Sequence, residues 1–139
     1  MTIAANHPVF RKISQDPFAG SLGIELQELR AGYGRVAMTL TPQMANFHGI
    51  PHGGAIFSLA DAAFAAASNS HGQAAVALSM TIQYLAAAKL GARLTAEAQE
   101  LRKGHRAGFY EIAVKTEGGE VVAVCQAVVH RKKEPLIAG

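Results

Sequence analysis

The chain has 139 residues, half of them hydrophobic and 17% charged, with a formal net charge of +3. That length suits one domain with a sizeable core, and the composition excludes a disordered chain. The mild basic excess forms no stripe with interleaved aromatics, which argues against nucleic acid, and a lone cysteine, Cys125, forbids an internal disulfide.

The first residues, MTIAANHPVFRK, lack a basic segment followed by an apolar run. No secretion signal is read there, and a cytoplasmic protein is expected. Residues 7–15 predict a short amphipathic helix, followed by the turn-rich DPFAGSLG. Residues 23–43 read as two strands around a Gly32-Tyr33-Gly34 turn, because Val36, Met38 and Leu40 alternate with Arg35, Ala37 and Thr39. A loop, MANFHGIPHGG, leads into one long helix. Four strands follow, at 75–87, 91–103, 107–117 and 120–131, with turns at KGHRAG (103–108) and EGGE (117–120). The segment VVAVCQAVV is apolar on both faces and reads as a buried central strand or an interface, with Cys125 a buried thiol rather than a nucleophile. Arg131, Lys132 and Lys133 read as a solvated tail. No repeat or linker interrupts residues 1–139, so a single domain is expected.

This order predicts an α+β fold with one largely antiparallel sheet and one dominant helix. The helix places Ile56, Leu59, Ala60, Ala63, Phe64 and Ala67 on one stripe. Its other side, with Ser58, Ala62, Ala65 and Asn69, is small and uncharged. A helix with no charged face is best covered all round. One sheet covers one side, so the rest falls to sheet curvature, loops or a second chain. Ser58, Asp61, Ser68 and Asn69 interrupt the Ala-rich run, so it is not read as a membrane span.

Between Arg35 and Lys89 the only Asp, Glu, Lys or Arg is Asp61. At 100° per residue it lies about 140° from Ile56, at the margin of the apolar stripe, with Phe57, Phe64, Ala65 and Ser68 as helical neighbours. An ionised carboxylate there is costly unless it is hydrogen-bonded or reaches a cavity. It is either solvated at a cleft edge or bound to a neighbouring chain, or it performs chemistry. The lack of any competing charge and the preceding loop favour chemistry.

In HGIPHGG, Gly53 and Gly54 fall at the first helical positions, where backbone N–H groups lack intrahelical partners and the helix dipole is positive. Such a site suits a carbonyl oxygen that gains negative charge in acyl transfer, and equally any anion. No Lys-Ser/Thr element makes it a phosphate loop. His48 and His52 have no third ligand, so no metal is expected. Gly53 and Asp61 are eight residues apart, about 12 Å on a helix, too far for one carbonyl group to touch both. If both act on one substrate, they come from two copies of the helix, as in a twofold dimer with antiparallel helices. The same dimer covers the uncharged side.

The run Asn46-x-His48-Gly49-x-x-His52-Gly53-Gly54, followed by Ser58-Leu59-Ala60-Asp61, closely resembles the acyl-CoA thioesterases of the phenylacetate-degradation type, the PaaI family. The resemblance extends over about residues 18–131 and includes Ser68-Asn69-Ser70-x-Gly72 and Thr81-Ile82-Gln83-Tyr84-Leu85. It implies the hotdog fold, a six-stranded antiparallel sheet wrapped around one long central helix, and hydrolysis of an acyl-CoA thioester, phenylacetyl-CoA or a hydroxylated aryl-acetyl-CoA, to free acid and CoA. By position it makes Asp61 the catalytic carboxylate, as general base or nucleophile, and Gly53 the oxyanion donor. Asn46 and His52 then polarise or orient the thioester and the water. Gly54, His48 and Phe57 are substrate-binding candidates, and Phe47, Phe64 and Tyr84 either line an aryl pocket or belong to the core. Arg102, Lys103, His105 and Arg106 either meet CoA phosphates or form a solvated turn. Some relatives place Ser or Thr on the strand after the helix to position water; here Ala77 stands at that position, with Ser79 and Thr81 nearby.

The resemblance further implies no metal or cofactor, with CoA only as part of substrate and product, and a homo-oligomer, a dimer with shared active sites assembled into a tetramer. Two other readings compete. A hotdog 3-hydroxyacyl thioester dehydratase would use a histidine with an acid, but its proline-rich pattern is not matched. A non-catalytic acyl-CoA-binding module would need no lone carboxylate.

Overall fold

The computed structural model describes residues 1–138. Helix α1 spans Pro8–Ser14 and opens on His7, whose Nδ1 accepts from the Val9 N–H. DPFAGSLG is not merely a turn. It contains a short helix, α2, Pro17–Ser21, because Asp16 caps the Ala19 N–H at 3.0 Å and Pro17 fills the first helical position.

Strands β1 (Glu25–Arg30) and β2 (Tyr33–Thr39) pair antiparallel with Arg30 opposite Tyr33. The connection is therefore Ala31-Gly32, with Gly32 at φ +76°, and not Gly32-Tyr33-Gly34. Gly34 sits inside β2 for another reason. A Cβ there would lie 2.8 Å from Cβ of Ala66 and 3.0 Å from the Ala67 nitrogen. Only glycine lets this strand and the long helix approach so closely.

That helix is α3, Gly53–Asn69. Four strands follow: β3 Gln73–Tyr84, β4 Arg93–Lys103, β5 Ala107–Thr116 and β6 Val121–Pro135. All neighbours pair antiparallel, in the order β1-β2-β4-β5-β6-β3, and α3 packs against all six strands. This is the hotdog architecture that the resemblance implies. The predicted stripe Ile56, Leu59, Ala60, Ala63, Phe64 and Ala67 is buried throughout. Phe64 meets Tyr110 edge-to-face at 5.5 Å between centroids. Burying a side chain of that size contributes roughly 1.5–3 kcal/mol.

The other side of α3 is covered only in part. Helices α1 and α2 reach its flank, and Ala62 and Ala65 are half-buried beneath residues of the Ile13–Ala19 segment. Gly54 and Asp61 are exposed, with Phe57 and Ser58 half-buried between them.

The sheet has two edges. At β1 the N-terminus closes part of the edge: Thr2 bridges Arg30, and the Ile3 N–H donates to the Leu29 carbonyl at 2.7 Å. At β3 the edge is open, and Val76 and Leu78 are exposed beside a bulge between Ala77 and Ser79. Strand β6 lies inside the sheet, as VVAVCQAVV predicts. It also runs on to Pro135, so Arg131, Lys132 and Lys133 are strand residues and not a tail, and Arg131 is only 5% exposed. Among the described residues no helix is long and apolar enough to cross a membrane.

Candidate active site

The loop before α3 is folded by its own polar groups. Asn46 Oδ1 accepts from the N–H of His48 at 2.9 Å and of Ile50 at 3.4 Å. Gly49, at φ +80°, donates to the Asn46 carbonyl, and the His52 N–H donates to the Met44 carbonyl at 2.7 Å. His52 is the N-cap of α3, its Nδ1 accepting from the Gly54 N–H at 2.8 Å. These bonds fix which atoms remain for a substrate. Asn46 retains its amide NH2. His52, accepting at Nδ1, carries its neutral-ring proton on Nε2.

The two glycines differ in role. Among the described residues no acceptor takes the Gly53 N–H. It points outward at the positive end of a 17-residue helix. The Gly54 N–H is taken by the His52 cap, so this substrate-binding candidate has no free amide to offer a ligand. Both positions are also tight. A Cβ on Gly53 would meet the Tyr84 ring at 3.2 Å, and one on Gly54 would meet His52 Nδ1 at 2.9 Å. Close approach there is by this chain's own side chains as much as by any ligand.

Tyr84 carries the signal that spacing conceals. Its hydroxyl donates to the Gly53 carbonyl at 2.9 Å, across 31 residues of sequence. With Ile50, Pro51, Ile56 and Leu85 it lines a hollow of about 380 Å³ beside Gly53. Of the aromatic candidates, Phe64 is core, Phe57 is half-buried near Asp61, and Tyr84 and Phe47 are exposed, Phe47 at 93%. His48 is exposed and lies against Phe47 with ring centroids 4.1 Å apart.

Asp61 lies two turns along α3 from Gly53, on the uncovered face. Its carboxylate has no hydrogen bond or ion pair among the described residues. Partial burial raises its pKa, and the negative charge of Asp16 raises it further. Asp16 is a neighbour that the sequence does not reveal, since it sits 45 positions upstream and arrives with α2. Within one chain Gly53 and Asp61 remain about 12 Å apart.

The basic candidates are not brought to Gly53 either. Arg102, Lys103 and Arg106 flank the β4–β5 turn. Ala107 pairs His130, which pairs Val76 near the start of β3, whereas Gly53 lies at the Tyr84 end. Arg102 is exposed opposite Phe109. Cys125 is 3% exposed, and burial pushes its thiol up to about 11, as suits an inert core thiol. A larger hollow, about 580 Å³, lies over Tyr33, Glu97, Glu111 and Lys115, which alternate with core residues and so face away from α3. The lone carboxylate and the free N–H are not there. No group of three metal-ligating side chains occurs among the described residues.

Comparison with known proteins identifies the family and the fold. The family model described as Thioesterase superfamily matches residues 48–123. Over 116 residues the chain is 43% identical to acyl-coenzyme A thioesterase PaaI of Escherichia coli, covering 84% of this chain and 83% of that protein. The structure of that protein, from the phenylacetic acid degradation operon, matches with a TM-score of 0.84 at 41% identity, over 87% of this chain and 88% of the other. A mutant structure of the phenylacetic acid degradation protein PaaI from Thermus thermophilus gives a TM-score of 0.81 at 38% identity, over 84% and 100% of the two chains. A Streptococcus mutans protein solved bound to acetyl CoA gives 0.77 at 25% identity, over 81% and 90%.

Proposed function

Because this chain belongs to the thioesterase superfamily, as an acyl-CoA thioesterase of the PaaI type, we propose that it hydrolyses aryl-acetyl-CoA at sites built by two copies of itself. Acyl-CoA hydrolysis follows from the family, and the acyl group, the shared site and the residue roles are our reading. One observation carries it: an unclaimed N–H at Gly53 and an unpartnered carboxylate at Asp61 lie on one helix, too far apart for one substrate. Two α3 helices side by side and antiparallel bring Gly53 of each to Asp61 of the other, twice. The open β3 edge, with Val76 and Leu78 exposed, offers strand pairing for the same dimer. A tetramer of two such dimers and a cytoplasmic location complete the reading.

In this site the Gly53 N–H donates a hydrogen bond to the thioester carbonyl oxygen as it becomes an oxyanion, assisted by the helix dipole. Asp61 either takes a proton from the attacking water or attacks the carbonyl carbon itself. By the first route the water oxygen bonds to the carbonyl carbon, the C–S bond breaks, and the proton held by Asp61 passes to the CoA sulfur; by the second, the carboxylate displaces CoA thiolate to leave a mixed anhydride, which water cleaves to the free acid and the restored carboxylate while the water proton goes to the thiolate. The Nε2–H of His52 and the amide of Asn46 orient the thioester and the water. The hollow between Ile50, Ile56 and Tyr84 takes the aryl group. No metal or cofactor enters the scheme.

The test is CoA release from phenylacetyl-CoA, hydroxyphenylacetyl-CoA and straight-chain acyl-CoAs, by wild type and Asp61→Asn. The account expects free acid and CoA, fastest with an aryl-acetyl group. Formation of an enoyl thioester from a 3-hydroxyacyl-CoA added to the panel would point to a dehydratase, and saturable binding without turnover to a binding module. A kcat for Asp61→Asn within about threefold of wild type would remove the carboxylate from catalysis, since losing a general base costs roughly 10²–10⁴.

A further inference from the structure

Phe57 is the one large side chain on the uncovered face of α3, among Gly53, Gly54, Ser58 and Asp61. The core does not need it. Among the described residues it packs into neither hydrophobic cluster and pairs with no aromatic ring, although it is half-buried. A single exposed apolar side chain is ordinary. The spacing around this one is not.

Gly53, Phe57 and Asp61 follow one another at four-residue intervals, so they climb one side of the helix in steps of about 6 Å and 40°, with Phe57 midway. In a twofold dimer with antiparallel helices, position rises along one helix as it falls along the other. Gly53 opposite Asp61 of a second copy then sets Gly54 opposite Ala60, and Phe57 opposite Phe57. Any twofold axis that builds the two shared sites thus runs between the Phe57 rings. Gly53 lies about 40° to one side of that line and Asp61 about 40° to the other, so each facing pair leaves a gap for a thioester. The two gaps are about 12 Å apart, on either side of the ring pair.

The hollow beside Gly53 borders the same position. Gly53 and Ile56 form its helix wall, and Phe57 follows about 100° round the helix, toward Asp61.

We propose that Phe57 is a specificity-determining residue that serves two sites at once: its ring meets the Phe57 ring of a second copy on the twofold axis, and the pair closes the acyl pocket of each site on the side of that axis. An acyl group extending from the thioester toward the axis has about 6 Å before it meets the rings, which admits an aryl-acetyl group and stops a longer chain. The inference rests on the shared-site reading above.

Two measurements test it. Phe57→Cys is oxidised with copper-phenanthroline in air and run on a non-reducing gel. Cys125, the only native thiol, is 3% exposed and adds no link. Phe57→Cys is expected to run as a linked dimer. Asp61→Cys, on the same face but about 12 Å along the axis from its own copy, is expected to stay unlinked, since a disulfide spans roughly 4.4–6.8 Å between Cα atoms. The second variant, Phe57→Ala, opens the wall. Its ratio of kcat/KM for phenylbutanoyl-CoA to that for phenylacetyl-CoA is expected to exceed the wild-type ratio at least about tenfold, the discrimination that a pocket gives per methylene. No link at Phe57, equal links at both positions, or an unchanged ratio, which marks a structural role only, would overturn the proposal. Should a mixed dimer of Gly53 and Asp61 variants regain activity while Phe57→Cys stays unlinked, this inference falls and the shared site stands. If wild type turns over neither substrate, the thioesterase reading falls on its own. The gel then still judges the contact, and calorimetry judges the wall by the ratio of affinities for the same two acyl-CoAs: a raised ratio in Phe57→Ala upholds it, and an unchanged ratio or no binding overturns it.

Discussion

Replacing Asp61 by asparagine separates two effects of one carboxylate. Partial burial, then the charge of Asp16, raises its folded pKa above the ordinary value. A carboxylate so shifted contributes stability below its unfolded pKa, and loses that contribution as pH rises through the folded pKa. At pH 7 the ionised group therefore works against folding. Asp61→Asn is expected to melt at the same temperature as wild type or higher at pH 7, while kcat falls roughly 10²–10⁴-fold. Thermal melts and CoA release check both. The same shift sets the acid limb of kcat/KM above the usual aspartate range. Asp16→Asn, which keeps a good N-cap on α2, is expected to move that limb to lower pH without changing the plateau. Tyr84 acts one step back, through the Gly53 carbonyl. Tyr84→Phe keeps the ring against Gly53 and loses the hydrogen bond, worth about 0.5–1.5 kcal/mol. If that bond aligns the Gly53 N–H, kcat falls about 2–10-fold with KM nearly unchanged. An unchanged kcat would make the bond structural only.

At the scale of elements, α3 and its sheet were legible because periodicity is local: the stripe from Ile56 to Ala67 repeats at helical spacing. The β1–β2 turn was misplaced because Gly32 and Gly34 are equally permissive by themselves. What decides between them is distant. Gly34 must lie in β2 because Ala66 and Ala67 of α3 press on it. Gly34→Ala is expected to cost about 1–3 kcal/mol, as overpacking does, read as a lower denaturant midpoint with an unchanged slope. A cost near zero would mean that strand and helix can part freely. The short helix α2, by contrast, is announced locally by Asp16-Pro17, an N-cap followed by proline at the first helical position. Arg131 looked like a tail because its neighbours are Lys132 and Lys133. Its burial depends on β6 running past Val129 beside Gln73, which no local pattern encodes.

For the whole molecule, the stretch from Val36 to Ala88, charged only at Asp61, finds only part of its cover within one chain. The sheet buries one side of α3, and α1 and α2 shade a flank. Gly54, Asp61 and the β3 edge stay open. Sequence spacing was enough to see that Gly53 and Asp61 cannot serve one thioester from one helix, and the fold keeps them apart. Tyr84 and Asp16 at the site were not legible, since each arrives from another element. The shared site is tested most directly by mixing two inactive parents. Asp61→Asn lacks the carboxylate, and Gly53→Pro lacks the oxyanion N–H; the first helical position accepts proline's backbone, and the Tyr84 ring, 3.2 Å from where the Cβ would sit, has to shift by a few tenths of an ångström. Each parent alone is expected to be inactive. Co-expressed with different tags and purified as a mixed dimer, they leave one site with Gly53 from the first parent and Asp61 from the second, both intact. The account predicts about half the wild-type kcat per dimer. A mixed dimer as inactive as its parents would contradict it, because a site contained within one chain is broken in both copies.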